Sequence, residues 1–223
     1  QDGSSHLVAA TIPNCKAYDP AFAGEMAVIV DAGIREMMVE QQDVFYYVTL
    51  MNENYAQPDL PAGAEADILR GCYRFGTYAP ASGKAKQSIT LLGSGAILTE
   101  VIKAAQQLAD EGITAEVFSV TSWSELARDG QACEQRALAG EKDAGTPFVA
   151  QQLGKASSKA PIVAATDYVR ALPESVRAFL PEGRRYLTLG TDGFGRSDTR
   201  AALRGFFGVD AASIARAARH ALG

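Results

Sequence analysis

The sequence predicts an α/β fold, in which a mostly parallel, mixed sheet is flanked by helices. From residue 88 onward, short runs of β-branched and apolar residues alternate with amphipathic stretches. This alternation is typical of parallel strands joined by helices. Hydrophobic residues make up 47% of the 223 residues and charged residues 21%. Such a composition supports a packed core and excludes a disordered or fibrous chain.

Two elements are predicted before a break in the pattern. Asp19 and Pro20 are expected to cap and begin a helix, because apolar positions recur at helical spacing up to residue 38. Residues 44–50 are β-branched and aromatic, which predicts a buried strand. Residues 52–64 contain Asn, Pro and Gly and interrupt any regular pattern. This stretch is the best candidate for a domain boundary.

Four strand–helix pairs and a closing helix are predicted after the break. The strands are expected over residues 88–92, 115–120, 162–165 and 186–189, with helices over residues 96–109, 123–128, 171–180 and 199–207. Ser122 and Glu125 have the spacing of a capping box, and Asp198 stands where an N-cap is wanted. An amphipathic helix over residues 210–222 is expected to end the chain.

Charge and cysteine content exclude several classes of protein. The net charge is −5, and no cluster of Lys and Arg is longer than two, so no nucleic-acid partner is expected. The apolar stretches are far shorter than the roughly 20 residues of a membrane span, so no membrane partner is expected. Three widely spaced cysteines and two histidines indicate neither disulfides nor zinc. A cytoplasmic protein fits best, and the start at Gln1 suggests a fragment.

Two glycine-containing turns are candidate binding sites. Gly93 and Gly95 lie between a predicted strand and a helix, as in dinucleotide-binding folds, but Leu98 occupies the place of the third glycine. A tight structural turn is therefore favoured over a cofactor cradle. Residues 190–197 follow the last predicted strand and include three glycines, Asp192 and Arg196. This loop could bind an anion, although a rigid docking turn is favoured.

His6 is the candidate catalytic residue. It ends the segment Asp2-Gly3-Ser4-Ser5-His6, which is predicted to be a turn rather than a helix interior. A histidine held by a turn can reach into a cleft and exchange protons near neutral pH. From the residues alone, a packing or surface role stays open. Ser94, Ser122 and Ser197 have no nearby histidine in the sequence, so a hydrolase triad is not indicated.

Several stretches resemble the homodimeric type of pyruvate dehydrogenase E1 component, a transketolase-like thiamin diphosphate family. The Asp2–His6 segment is similar to the Asp-Gly-x-Thr/Ser-His element of these enzymes. Further similar stretches follow in order over essentially the whole chain: residues 11–15, 18–21, 52–55, 91–95, 125–131, 165–168 and 190–197.

The resemblance implies a domain division and a missing remainder. Residues 1–57 would be the tail of a pyrimidine-binding domain, itself α/β, residues 58–73 a connector, and residues 74–223 a transketolase-like C-terminal domain. The chain would be the last quarter of a larger polypeptide. Thiamin diphosphate and Mg²⁺ would be bound by the missing N-terminal domains and the homodimer partner. No cofactor or metal is expected on this fragment, which should be inactive alone.

The resemblance also implies a reaction. The full enzyme would decarboxylate pyruvate and reductively acetylate the lipoyl group of the E2 dihydrolipoyl acyltransferase. His6 would lie in the active-site cleft as a proton donor or substrate-orienting residue. Homologues commonly have a second histidine where this chain has Ser4 and an acidic residue where it has Gln1, which leaves the local hydrogen bonding open. Two alternatives remain: a non-catalytic assembly or dimerisation domain, and a related transketolase-type enzyme or other 2-oxo acid decarboxylase.

Overall fold

The structure is a computed structural model and describes residues 3–82, 85–155 and 159–223. Its strands are β1 (Cys15–Tyr18), β2 (Phe45–Val48), β3 (Cys72–Tyr78), β4 (Gln87–Gly93), β5 (Ile113–Val120), β6 (Ile162–Ala165) and β7 (Tyr186–Leu189). Its α-helices are α1 (Ser5–Ala10), α2 (Ala23–Ile34), α3 (Glu65–Leu69), α4 (Ile97–Asp110), α5 (Trp123–Leu138), α6 (Phe148–Gly154), α7 (Ala171–Glu174), α8 (Arg200–Phe207) and α9 (Ala211–Leu222). A π-helical turn, Arg35–Val39, extends α2, and a 3₁₀ turn, Arg177–Phe179, follows α7.

The main sheet confirms the predicted α/β fold. Its strand order is β3-β5-β4-β6-β7, with β3 antiparallel to β5 and the other pairs parallel. Successive side chains of β4 point to opposite faces of the sheet. Leu91 therefore joins an apolar cluster with α4 and α9, whereas Leu92 joins a second cluster with α5 and α6. Helices thus cover both faces of the central strand.

A second, two-stranded parallel sheet contains β1 and β2, with α2 between them in the chain. The prediction that residues 44–50 form a fully buried strand was wrong. Phe45 is 43% exposed and the rest of β2 is half-buried. The reason is that β2 pairs only with β1 within the described ranges. One edge of β2 therefore has no strand beside it there.

Several predicted helix limits were also wrong. Asp19 does not cap α2, because the Glu25 carboxylate accepts the N–H groups of Ala21 and Phe22 and the helix begins at Ala23. The cap of α8 is Thr199, whose hydroxyl accepts the Ala202 N–H. Residues 171–180 form a short helix and a 3₁₀ turn instead of one helix.

The start of α5 follows the prediction more closely. Ser122 accepts the Glu125 N–H at 3.1 Å, as the capping motif requires, while the Glu125 side chain pairs with Arg128. The helix continues to Leu138, ten residues beyond the predicted end at residue 128.

Glu25 joins α2 to the main sheet. Its carboxylate is fully buried and accepts hydrogen bonds from the hydroxyls of Tyr73 on β3 at 2.7 Å and Ser119 on β5 at 2.6 Å. These bonds, together with the two from the helix start, offset the cost of removing the carboxylate from water. These bonds hold α2 against β3 and β5, and Asp19, directly after β1, accepts the N–H of Gly95 in the turn between β4 and α4.

Candidate active site

His6 lies in the first turn of α1, so the prediction of a non-helical turn at this residue was wrong. The helix forms because the Ser4 carbonyl accepts the N–H groups of Leu7 and Val8 at 3.0 and 3.1 Å. The Gly3 carbonyl accepts the Val169 N–H at 2.9 Å, which attaches the start of α1 to the segment after β6. Asp2 of the predicted motif and the preceding Gln1 lie outside the described residues.

The His6 side chain is enclosed, with 4% of the residue exposed. Its Nε2 is 2.8 Å from the Thr49 hydroxyl, which follows β2. The rings of Tyr47 and Tyr168 meet the imidazole edge-on, with centroids 5.4 and 4.6 Å away. The surroundings are polar and aromatic, and both tyrosines pack in turn against apolar clusters of the core.

Asp19 completes a hydrogen-bonded chain behind His6. The Thr49 hydroxyl donates to Asp19 Oδ1 at 2.8 Å, and Asp19 Oδ2 has no hydrogen-bond partner in the described part of the chain. The pKa of Asp19 is raised to about 7, mainly by burial and to a smaller extent by the negative charges of Asp167 and Glu25. The Thr49 and Ser94 hydroxyls act in the opposite direction. His6, Thr49 and Asp19 are far apart in the sequence, and only His6 was predicted as a site residue.

The turn between β4 and α4 packs directly against Asp19. Gly95 has φ of +51° and donates its N–H to the Asp19 carbonyl at 3.0 Å. A Cβ at this position would lie 2.6 Å from Asp19 Oδ1, which no side chain allows. The glycine is therefore required by the approach of an acidic side chain. This geometry supports the tight structural turn and gives no support to a phosphate cradle.

The loop over residues 190–197 is fixed at its beginning and exposed at its tip. Asp192 accepts the backbone N–H of Arg170 at 2.8 Å and also its guanidinium, while Phe194 is 97% exposed. The loop borders a pocket of about 360 Å³ that Tyr168 also lines. Because Tyr168 contacts His6 as well, the pocket and the His6 cluster share one wall.

Asp167, Arg196 and Arg204 are among the residues that line this pocket. Arg204 pairs with Glu53 at 2.6 Å and with Glu100 at 3.5 Å, and the Arg196 guanidinium lies over the Phe206 ring. Much of the positive charge near the loop is therefore already paired with carboxylates. Anion binding by the loop stays a prediction. Within the described ranges, no three His, Cys, Asp or Glu side chains form a group that could hold a metal ion.

The chain is similar to known proteins over its whole length. The family profile of the transketolase-like TK C-terminal domain matches residues 76–210, and that of the pyruvate dehydrogenase E1 component middle domain matches residues 1–58. The pyruvate dehydrogenase E1 component of Pseudomonas aeruginosa is 48% identical over 100% of this chain, and that of Escherichia coli K12 is 47% identical over 98%. The chain spans 25% and 24% of these two relatives.

Solved structures share the fold at low sequence identity. Transketolase from Campylobacter jejuni matches with a TM-score of 0.64 at 16% identity, covering 99% of this chain and 28% of that one. Transketolase from Leishmania mexicana matches at 0.63 and 16%, covering 99% and 27%. A split-gene transketolase described as an inactive β4 tetramer matches at 0.60 and 15%, covering 100% and 62%. The resemblance predicted from the sequence is thereby confirmed, and the chain belongs to the family of transketolase-like C-terminal domains.

Proposed function

We propose that this chain is the C-terminal part of a pyruvate dehydrogenase E1 component. The whole protein would decarboxylate pyruvate and reductively acetylate the lipoyl group of an E2 dihydrolipoyl acyltransferase. The observation that carries the proposal is the similarity to eight proteins of that name, at 42% to 49% identity over 98% to 100% of this chain. The identity extends over both stretches that the family profiles match, residues 1–58 and residues 76–210, and therefore supports more than a shared fold.

The thiamin diphosphate cofactor would supply the electron sink for decarboxylation. In this proposal the cofactor and Mg²⁺ are held by N-terminal domains of the longer protein and by the homodimer partner, and the enzyme is cytoplasmic. The proposed division places a pyrimidine-domain tail at residues 1–57, a connector at residues 58–73 and the C-terminal domain at residues 74–223. No helix of the described residues is long and apolar enough to cross a bilayer.

His6 is the residue we assign to the reaction. An imidazole titrates near neutral pH and can donate a proton where negative charge develops on the carbonyl oxygen of a 2-oxo acid. Its polar surroundings and its shared wall with the pocket at Tyr168 support this role. The residues at hand thus contribute a proton donor and an enclosed, water-poor environment.

Replacing His6 in the full-length protein tests this role. The His6→Ala variant should lower pyruvate-dependent lipoyl acetylation at least about a hundredfold, since a general acid would be missing. The melting temperature and the dimer should stay close to wild type. Wild-type turnover in His6→Ala would show that the histidine only packs.

An assembly role is the second candidate, and one surface favours it. Apolar side chains of α2 and its π-helical extension are exposed, among them Ile34 at 54%, Met38 at 72% and Val39 at 74%. Large apolar side chains exposed near one another in this way indicate a surface that contacts another protein segment. The rest of the longer protein or its dimer partner would cover it, and this role is compatible with the catalytic one.

A further inference from the structure

We propose that Thr49 and Asp19 position His6 for the reaction. In this arrangement the Thr49 hydroxyl donates its proton to the Asp19 carboxyl and accepts the N–H of His6 Nε2. The inference rests on the proposed catalytic role of His6 and names the residues that give its ring one protonation pattern. Thr49 and Asp19 are positioning residues, because they act on the reaction through the imidazole.

The charge on Asp19 sets the direction of both hydrogen bonds. A hydroxyl has one proton to donate. Three groups near the Thr49 hydroxyl can accept it: Asp19 Oδ1 at 2.8 Å, the Tyr18 carbonyl at 3.4 Å and, in one tautomer, His6 Nε2 at 2.8 Å. An ionised carboxylate is the strongest acceptor of the three, so the Thr49 proton goes to Asp19 Oδ1. Once its proton is used there, the Thr49 oxygen can only accept from His6 Nε2, which is 2.8 Å away.

This direction determines the tautomer of His6. A neutral imidazole has one N–H and one acceptor nitrogen, and the partner of one nitrogen sets the state of the other. With the proton on Nε2, Nδ1 is the nitrogen that binds and releases the second proton of the ring, which is the proton a general acid donates. Tyr47 and Tyr168 meet the ring edge-on and fix its plane. The imidazole therefore has both its orientation and its proton position set before any substrate arrives.

Helix capping does not explain why the Asp19 carboxyl is buried. A buried carboxyl is costly, and Asp19 does not cap α2, since Glu25 takes that role. Its Oδ2 has no hydrogen-bond partner within the described residues, and its Oδ1 bonds to Thr49. Burial raises the pKa of Asp19 to about 7. Above that pH the carboxylate is ionised, and its Oδ1 accepts the Thr49 proton.

The test compares two substitutions at Thr49 in the full-length protein. Thr49→Ser keeps the hydroxyl, whereas Thr49→Val has nearly the same shape and lacks it. We expect Thr49→Val to lower kcat for lipoyl acetylation about tenfold to a hundredfold, with KM for pyruvate within about threefold. Thr49→Ser should stay within about threefold of wild type. Asp19→Leu removes the acceptor and should resemble Thr49→Val.

A double-mutant cycle separates positioning from mere structural support. If Thr49 acts through His6, Thr49→Val should cost nothing further in a His6→Ala background. Equal kcat in Thr49→Val and Thr49→Ser, or a full additional loss in the His6→Ala background, would overturn the proposal. If His6→Ala itself had wild-type turnover, the failure would lie in the proposed role of His6. A loss in His6→Ala with none in Thr49→Val would refute the positioning alone.

Discussion

The contact between Gly95 and Asp19 gives the sharpest prediction at the residue scale. Gly95→Ala would place a Cβ 2.6 Å from Asp19 Oδ1 at a residue with φ of +51°, so both the contact and the backbone angle oppose it. We expect a loss of about 2 to 4 kcal/mol in the free energy of unfolding, measured by urea denaturation.

Gly63→Ala is the matched control for this prediction. Gly63 also has positive φ, at +76°, but a Cβ at this residue would have no described atom within 4 Å. Only the backbone strain applies, so the expected cost is about 1 to 2 kcal/mol. Equal losses for the two variants would mean that Asp19 moves away readily and that its placement against the turn is not rigid.

The sequence singled out His6 but not the residues behind it. Thr49 is 43 residues from His6 and Asp19 is 30 residues from Thr49, so no local spacing connects them. Asp19 before Pro20 has the pattern of a helix N-cap. The sequence therefore predicted a capping role for Asp19 and not its hydrogen bond with Thr49. The glycine at position 95 was the signal in the sequence, because a glycine between a strand and a helix can mark the close approach of another group. The sequence does not say which group approaches it.

At the scale of elements, the buried carboxylate of Glu25 controls how α2 meets the main sheet. One oxygen accepts the Ala21 and Phe22 N–H groups and the other accepts the Tyr73 and Ser119 hydroxyls. In Glu25→Gln the amide NH₂ would face two hydroxyl donors. We expect a loss of about 1 to 3 kcal/mol in unfolding free energy, measured by denaturant titration.

Glu111→Gln is the control at the surface. Glu111 pairs with Arg219 at 2.6 Å, and both side chains are more than 40% exposed. Exposed pairs contribute only about 0 to 1 kcal/mol, so this variant should be nearly neutral. If Glu25→Gln were equally mild, the Glu25 carboxylate would not be what holds α2 to the sheet.

Strands β6 and β7 were predictable from their local sequence. Residues 162–165 and 186–189 were predicted to the residue, since a short apolar run between polar turns leaves little choice. The length of α5 was missed because Asp129 and Gly130 look like a helix stop. In the structure Asp129 accepts the Phe148 N–H at 2.6 Å, and Gly130 packs on the Phe179 ring. Tertiary contacts supply what these residues lack in helix propensity.

At the scale of the whole molecule, hydrogen bonds join the segment that contains β1 to the segment that contains the main sheet. Strand β1 joins the main body through the Asp19 N–H, which donates to the Thr121 carbonyl at 2.8 Å, and through Ser122, which donates to the Ala17 carbonyl at 2.6 Å. Arg128 reaches the Cys15 carbonyl at 2.7 Å. The mixed α/β architecture was predictable from the alternation of elements, whereas these bonds between distant segments were not.

The proposal that thiamin diphosphate is bound by other parts of a longer protein gives the last prediction. A ligand that binds only the folded state at a hundred times its Kd adds about 2.7 kcal/mol to stability, which would raise the melting temperature by several degrees. The isolated 223-residue chain, once circular dichroism shows that it is folded, should have an unchanged melting temperature when thiamin diphosphate and Mg²⁺ are added. The full-length protein should respond strongly under the same conditions. A saturable rise in the isolated chain would contradict the proposal that the cofactor is held elsewhere, because its own residues would then be sufficient to bind it.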